Sequence, residues 1–136
     1  MALNSEYSHT ASNAMVNALA ALCNGGTINV YSGTQPANAN TALSGNTLLV
    51  TLTFGSTAFA NAVNGVANAN AITSGTAVAT GTASFARIIK SDLTTVVMDG
   101  TVGTASCNVN LSTVSIVNGG VVQLTSMTVT VNEAGT

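Results

Sequence analysis

Charge is what this sequence has least of: two basic and four acidic residues in 136, or 4%, where an average soluble domain carries about a quarter. With two cations in all and a formal net charge of −2, binding nucleic acid by releasing counterions from phosphates has almost nothing to work with. Tryptophan is absent and proline occurs once. The two cysteines, Cys23 and Cys107, are too few for a disulfide framework and lack the spacing of a metal knuckle. They read as semi-buried free thiols that act as small hydrophobes, with a bridge between them left open. No run of about 18 consecutive apolar residues exists, which excludes an ordinary transmembrane helix. The stretch from Met15 to Leu22 comes nearest to a signal peptide. Glu6 is the only charge before it, however, and Leu22 is not the small residue a cleavage site requires. The expectation is synthesis and assembly in a cytoplasm, with no membrane and no nucleic acid as partner.

What is present is apolar and small. The apolar fraction is 46% and the mean hydropathy +0.47, the reverse of the high-charge, low-hydropathy signature of disorder. At this length the chain has room for one core and not for two. Soluble monomers keep charge on their surfaces. A chain this poor in charge is expected to have much of its surface covered in use.

The periodicity divides residues 1–26, an N-terminal arm and helix, from residues 27–136, a β-sandwich, within a single structural domain. A helix is expected from about Thr10 to Cys23, with Ser8, Thr10 or Ser12 as N-cap and Gly25 as the stop. Met15, Leu19 and Leu22 form its apolar stripe, beside Val16 and Ala20. From Thr27 the period becomes two. Ile28 and Val30 alternate with Asn29 and Tyr31; Leu48, Val50, Leu52 and Phe54 share one face, and Thr47, Thr51 and Thr53 the other. Asn64-Gly65 is the strongest hairpin signal, with a strand expected over Val66 to Ile72. Gly81 to Lys90 reads as a strand, and Asp92 and Asp99-Gly100 as turns on either side of Thr95 to Met98. Cys107 to Leu111 and Val114 to Val117 follow. The parity of the last strand changes between Leu124 and Met127, which predicts a β-bulge near Thr125-Ser126. The fold class expected is all-β: an antiparallel β-sandwich, jelly-roll-like, of about eight strands with one short N-terminal helix. Strands this poor in lysine and proline need their edges covered by helix and loops, or use them to pair with other subunits.

Catalysis needs titratable groups gathered in one place, and the inventory is His9, Glu6, Asp92, Asp99, Glu133, Arg87, Lys90 and the two cysteines. A nucleophilic triad has only His9 to use, and no serine sits in a G-x-S-x-G turn. Asp92 and Asp99, the carboxylate pair available for glycoside hydrolysis, fall where turn hydrogen bonding explains aspartate better. Gly100-Thr101-Val102-Gly103 lacks the Lys-Ser/Thr of a phosphate cradle, and no cluster has metal-ligand spacing. No catalytic residue, cofactor or metal is assigned, and the chain is expected not to be an enzyme. Arg87, between Phe85 and Ile89, is either an inward charge that needs a partner or an outward anchor whose planar fork reaches a neighbouring subunit; the outward reading is adopted. Lys90, the sole lysine, reads as a solvated strand-end residue, since an isopeptide crosslink also needs a buried carboxylate beside it.

Four stretches carry a family resemblance: Val30-Tyr31-Ser32-Gly33-Thr34-Gln35-Pro36-Ala37-Asn38-Ala39-Asn40 through Leu49; Ala79-Thr80-Gly81-Thr82-Ala83-Ser84-Phe85-Ala86-Arg87; Asp99-Gly100-Thr101-Val102-Gly103-Thr104; and Asn110-Leu111-Ser112-Thr113 with Ser115-Ile116-Val117. Together they resemble small proteins encoded among the head genes of tailed bacteriophages. The sequence departs from that pattern at Leu93, where glycine is more usual after the aspartate, and in its two cysteines. The resemblance implies a head decoration or cement protein, a jelly-roll-like domain on the capsid exterior that clamps neighbouring major capsid proteins. Its partners would be the major capsid protein and other copies of itself, as dimer or trimer. Candidate interface residues are Met15, Leu19, Tyr31, Gln35, Asn38, Asn40 and Arg87. A different class, a tail-fibre or host-surface recognition module, would call for exposed aromatic platforms, and the aromatics available are Tyr7, Tyr31, Phe54, Phe59 and Phe85.

Overall fold

A computed structural model of the chain describes residues 5–131. Of the titratable inventory, Glu133 lies outside the described residues. The helix α1 spans His9–Leu22. It starts there because Ser8, in an extended conformation, accepts the Ala11 N–H on its hydroxyl at 3.1 Å, satisfying one of the N–H groups a helix start leaves orphaned. Cys23 caps the other end, and Gly25 turns the chain away at φ +68°.

The buried face of α1 is Ser12, Val16 and Ala20, continued by Cys23. The expected stripe was one position off. Met15 is 38% and Leu22 45% exposed, and only Leu19 packs part of its side chain on the core. Small residues decide this, because Ser12 and Ala20 let the helix axis approach the sheet more closely than a leucine face allows. Gly26 then joins helix to sheet. A Cβ there would collide with the carbonyl oxygen of Ile89, so no other residue fits this joint unchanged.

Among the described residues twelve strands follow: β1 (Thr27–Tyr31), β2 (Leu48–Phe54), β3 (Val66–Asn68), β4 (Ile72–Thr73), β5 (Gly75–Thr76), β6 (Gly81–Thr82), β7 (Phe85–Ile89), β8 (Val96–Gly103), β9 (Val109–Leu111), β10 (Ser115–Ile116), β11 (Val121–Val122) and β12 (Leu124–Thr130). Eight form one curled mixed sheet in the order β3-β12-β9-β8-β7-β1-β2-β4. The protein is thus all-β with one helix, as its periodicity predicts. The remaining four strands make two short antiparallel ribbons, β6–β10 and β5–β11. Both ribbons lie against β2: the Val78 N–H after β5 donates to Leu49 O at 2.8 Å, and Gly81 of β6 sits over the Leu49 side chain. The curl of the main sheet follows from its connections. Its terminal strands, β3 and β4, are consecutive in the chain and joined by residues 69–71, so they lie at most about 14 Å apart along the backbone.

The core lies inside this curl. Strand β7 is buried at all five positions, flanked by β1 and β8. On β2 the alternation is as read from Val50 on, with Val50, Leu52 and Phe54 inward and Thr51 and Thr53 outward; before it a register shift against β1 buries Leu49 and leaves Leu48, read as inward, only half-buried. The Asn64-Gly65 hairpin is present: both residues are left-handed, at φ 52° and 75°, and Val63 and Val66 exchange hydrogen bonds of 2.9 and 3.0 Å. The register of β12 on β9 shifts between Leu124 and Ser126, where the parity change predicts a bulge.

The strands differ from the sequence reading in several places: the one expected over Val66 to Ile72 is divided into β3 and β4, and the one over Gly81 to Lys90 into β6 and β7. Asp99-Gly100 is not a turn but the middle of β8, with Asp99 opposite Arg87 and Gly100 opposite Ala86. The dipeptide signal is overridden by cross-strand pairing, and the missing glycine side chain makes room for Asn108, whose Cβ lies 3.0 Å from where one would stand. Strands β8 and β9 are parallel, in register Val102 to Val109, although only residues 104–108 connect them. Parallel neighbours ordinarily need a dozen or more connecting residues. Here Ser106 turns the chain at φ 59°. Asn108 Oδ1 then accepts from the Thr101 N–H and hydroxyl, both at 3.0 Å, which fastens the loop to the strand it has just left.

Candidate interaction surface

Arg87 is an inward charge, which corrects the outward reading. It stands on the fully buried strand β7 and is 6% exposed. Its Nε donates to Asp99 Oδ1 at 2.7 Å and one terminal nitrogen to Asp99 Oδ2 at 2.9 Å, a fork-to-fork pair across adjacent strands. Hydrogen bonding to Asp99 raises the guanidinium's pKa further above its ordinary value, so it is charged at every accessible pH. The same terminal nitrogen donates to the Thr41 carbonyl at 2.9 Å. That contact fastens the middle of loop 32–47 to the sheet.

The rest of that loop is tied by its own side chains. Asn46 Nδ2 donates to the carbonyls of Ser32 and Thr34 at 3.1 and 3.0 Å, and Asn38 Oδ1 accepts from the Asn40 N–H at 2.9 Å and the Thr41 hydroxyl at 3.2 Å. The folded loop encloses a cleft of about 220 Å³ lined by Thr34, Gln35, Pro36, Thr41, Ala42, Ser44 and Asn46. Gln35, Asn38 and Asn40 are exposed on it, whereas Tyr31 is half-buried and stacks on Phe85, ring centroids 5.4 Å apart. The loop candidates are therefore brought together. Met15 and Leu19 stand apart from them, on the helix.

The helix is secured by asparagines that sequence reading did not single out. Asn13, Asn17 and Asn24 each turn a side-chain oxygen toward the segment 58–65 and accept the backbone N–H of Gly65, Ala62 and Ala58, all at 2.8 Å. The helix and the segment run antiparallel, stitched by three neutral amides. A partial signal was available in the sequence, since Asn13 and Asn17, four residues apart, share one face of the helix, and Asn24 follows just past its end. Between the lower two amides a small cleft remains, lined by Ala20, Ala21, Phe59 and Ala60 among others.

A third apolar feature lies on the ribbons. Val78, Val117 and Val121 are 62%, 61% and 65% exposed. They are neighbours through the backbone: Gly119 N–H donates to Ala77 O at 2.8 Å, Gly120 N–H to Val117 O at 2.9 Å, and Val121 pairs with Thr76. Residues 74–82 and 112–123, which build this end, contain no charged side chain.

The remaining titratable groups are dispersed. Asp92 closes its turn by accepting from the Thr95 hydroxyl and the N–H groups of Thr95 and Thr94. These contacts hold its carboxyl below the usual carboxylate range. The next residue, Leu93, is left-handed at φ 62°, a conformation that favours glycine. Cys23 is buried and Cys107 half-buried, both as free thiols, and burial pushes Cys23 up to about 11. Among the described residues no group of three His, Cys, Asp or Glu side chains is placed to hold a metal ion, and no helix is long and apolar enough to cross a membrane. Comparison with protein families, curated proteins and solved structures finds no match to this chain.

Proposed function

We propose that this protein is a structural subunit that works by contact: a cement or decoration protein on the capsid exterior of a tailed bacteriophage. It would clamp neighbouring major capsid proteins and stabilise the mature head, without an active site. The observation that carries this reading is where the charge sits. Arg87 and Asp99 neutralise each other inside, with side chains 7% and 4% exposed. Among the described residues this leaves Glu6, Lys90 and Asp92 to charge the outside. A free monomer of this size normally spreads charge over about a quarter to a third of its surface residues.

A surface of this kind suits a lattice. Neutral hydrogen bonds and apolar contacts are individually weak, and repetition on a symmetric shell multiplies them through avidity. The recognition-module alternative is less well served. Phe54, Phe59 and Phe85 are buried and Tyr31 is stacked on Phe85, so among the described residues Tyr7 is the one substantially exposed aromatic. The test is quantitative mass spectrometry of purified phage particles. A copy number comparable to that of the major capsid protein is expected; a handful of copies per particle overturns the proposal, and glycan binding by the isolated protein would favour the recognition module.

A further inference from the structure

The chain contains three Asn-Gly dipeptides, Asn24-Gly25, Asn64-Gly65 and Asn118-Gly119. In an unstructured chain this dipeptide is the one most prone to lose its side-chain amide. The glycine nitrogen, deprotonated, attacks the asparagine Cγ; a new N–Cγ bond forms, the Cγ–Nδ2 bond breaks and ammonia leaves. Solvent water then opens the cyclic imide on either side, giving aspartate or isoaspartate. The reaction needs a glycine N–H that is free to give up its proton and turn toward the side chain.

In this fold all three glycine N–H groups are engaged. Gly25 donates to Gly55 O at 2.9 Å and Gly119 to Ala77 O at 2.8 Å, both backbone carbonyls. Gly65 differs. It donates at 2.8 Å to the side-chain oxygen of Asn13, a residue of another element, while Asn64 itself sits exposed in the left-handed turn. Gly65 is also buried, and the Val131 N–H donates to its carbonyl at 2.9 Å, so the turn is gripped by the helix on one side and by the end of β12 on the other.

We propose that Asn64 is a latent deamidation site kept shut by Asn13. Docking of α1 protects it, and undocking opens it. A helix that leaves the sheet is thereby recorded permanently, as one added negative charge and, in the isoaspartate product, a lengthened backbone in the hairpin that leads into β3.

The test is peptide mapping by mass spectrometry after incubation in mildly alkaline buffer. In the native protein Asn64 is expected to stay an amide, while the same chain in denaturant converts all three sites. Asn13→Ala is expected to speed conversion at Asn64 about tenfold, the factor set by the loss of one hydrogen bond, with Asn118 unchanged. Asn17→Ala loosens the same helix but leaves the Gly65 N–H bonded to Asn13, and is expected to speed conversion at Asn64 clearly less than Asn13→Ala does. Asn13→Asp, which retains an acceptor oxygen, should also keep it shut, and that arm decides the matter if Asn13→Ala unfolds. Native Asn64 converting as fast as in denaturant, or equal acceleration by Asn13→Ala and Asn17→Ala, overturns the proposal, as does acceleration in folded Asn13→Asp.

Discussion

Two irregular stretches are laid over the sheet, and they are held by different chemistry. Loop 32–47 is fastened at Thr41 by a buried guanidinium, itself neutralised by Asp99. Segment 58–65 is fastened by two asparagines of the helix and one just past its end, with no charge at all. The charged anchor stands where water is excluded and where one side chain must reach two carboxylate oxygens and a carbonyl together, which only a planar fork does. The amides stand where a single N–H has to be met and the site is partly open. A chain with six charges thus commits two of them to one sealed position and one, Asp92, to a local turn, and fastens its long segments with neutral groups.

The comparison breaks or sharpens with the anchors. Arg87→Ala leaves Asp99 buried without its partner and is expected to cost about 3–5 kcal/mol in urea denaturation. Arg87→Lys should recover little of that, because a point charge does not span the three acceptors. Asn17→Ala and Asn24→Ala each orphan one part-buried N–H and are expected to cost about 1–2 kcal/mol. Costs equal to that of Arg87→Ala would erase the distinction between the two regions. Leu93→Gly is expected to stabilise by about 0.5–1 kcal/mol, the left-handed strain relieved less the entropy of glycine, and to raise Tm. Smallest of all, Val117→Ser with Val121→Ser should alter stability by under about 0.5 kcal/mol, since both side chains point to solvent. The same pair should weaken binding to purified capsids if the ribbon end is the contact face.

Cys23, where the helix meets the sheet, adds a pH dependence. Its thiol is raised to about 11 by burial, so above pH ~8.5 the unfolded chain ionises while the native one holds its proton. The unfolded state then binds fewer protons, and stability falls as pH rises toward 11. Cys23→Ala should flatten that part of the profile.

Much of the local structure was legible in the residues. Ser8 as cap, Asn64-Gly65 as hairpin, the two faces of β2 and the bulge after Leu124 all depend on neighbours within a few positions. What was not legible depends on distant partners. Asp99-Gly100 reads as a turn until Arg87 is found opposite Asp99, and Arg87 reads as an outward anchor for the same reason. The helix face was misjudged because size, rather than hydrophobicity, determined how it seats, and because its three stitches meet a segment some 34 to 52 residues away. That Gln35, Asn38 and Asn40 are exposed could be read from the sequence because the loop is polar and lies outside the strand pattern.

The short link 69–71 has a consequence for how the molecule is made. Strand β3 pairs with β12, in the register Val66 to Thr130, while β4 immediately after it pairs with β2, already synthesised. As the chain emerges from its N-terminus, β4 finds its place early and β3 waits for the last strand to appear. The curled sheet is then completed by the arrival of β12, which inserts between β3 and β9 and pairs with both at once. The long sequence separation makes this closure the entropically slow step. A truncated chain without β12 is expected to lose cooperative unfolding as a whole rather than shed one strand.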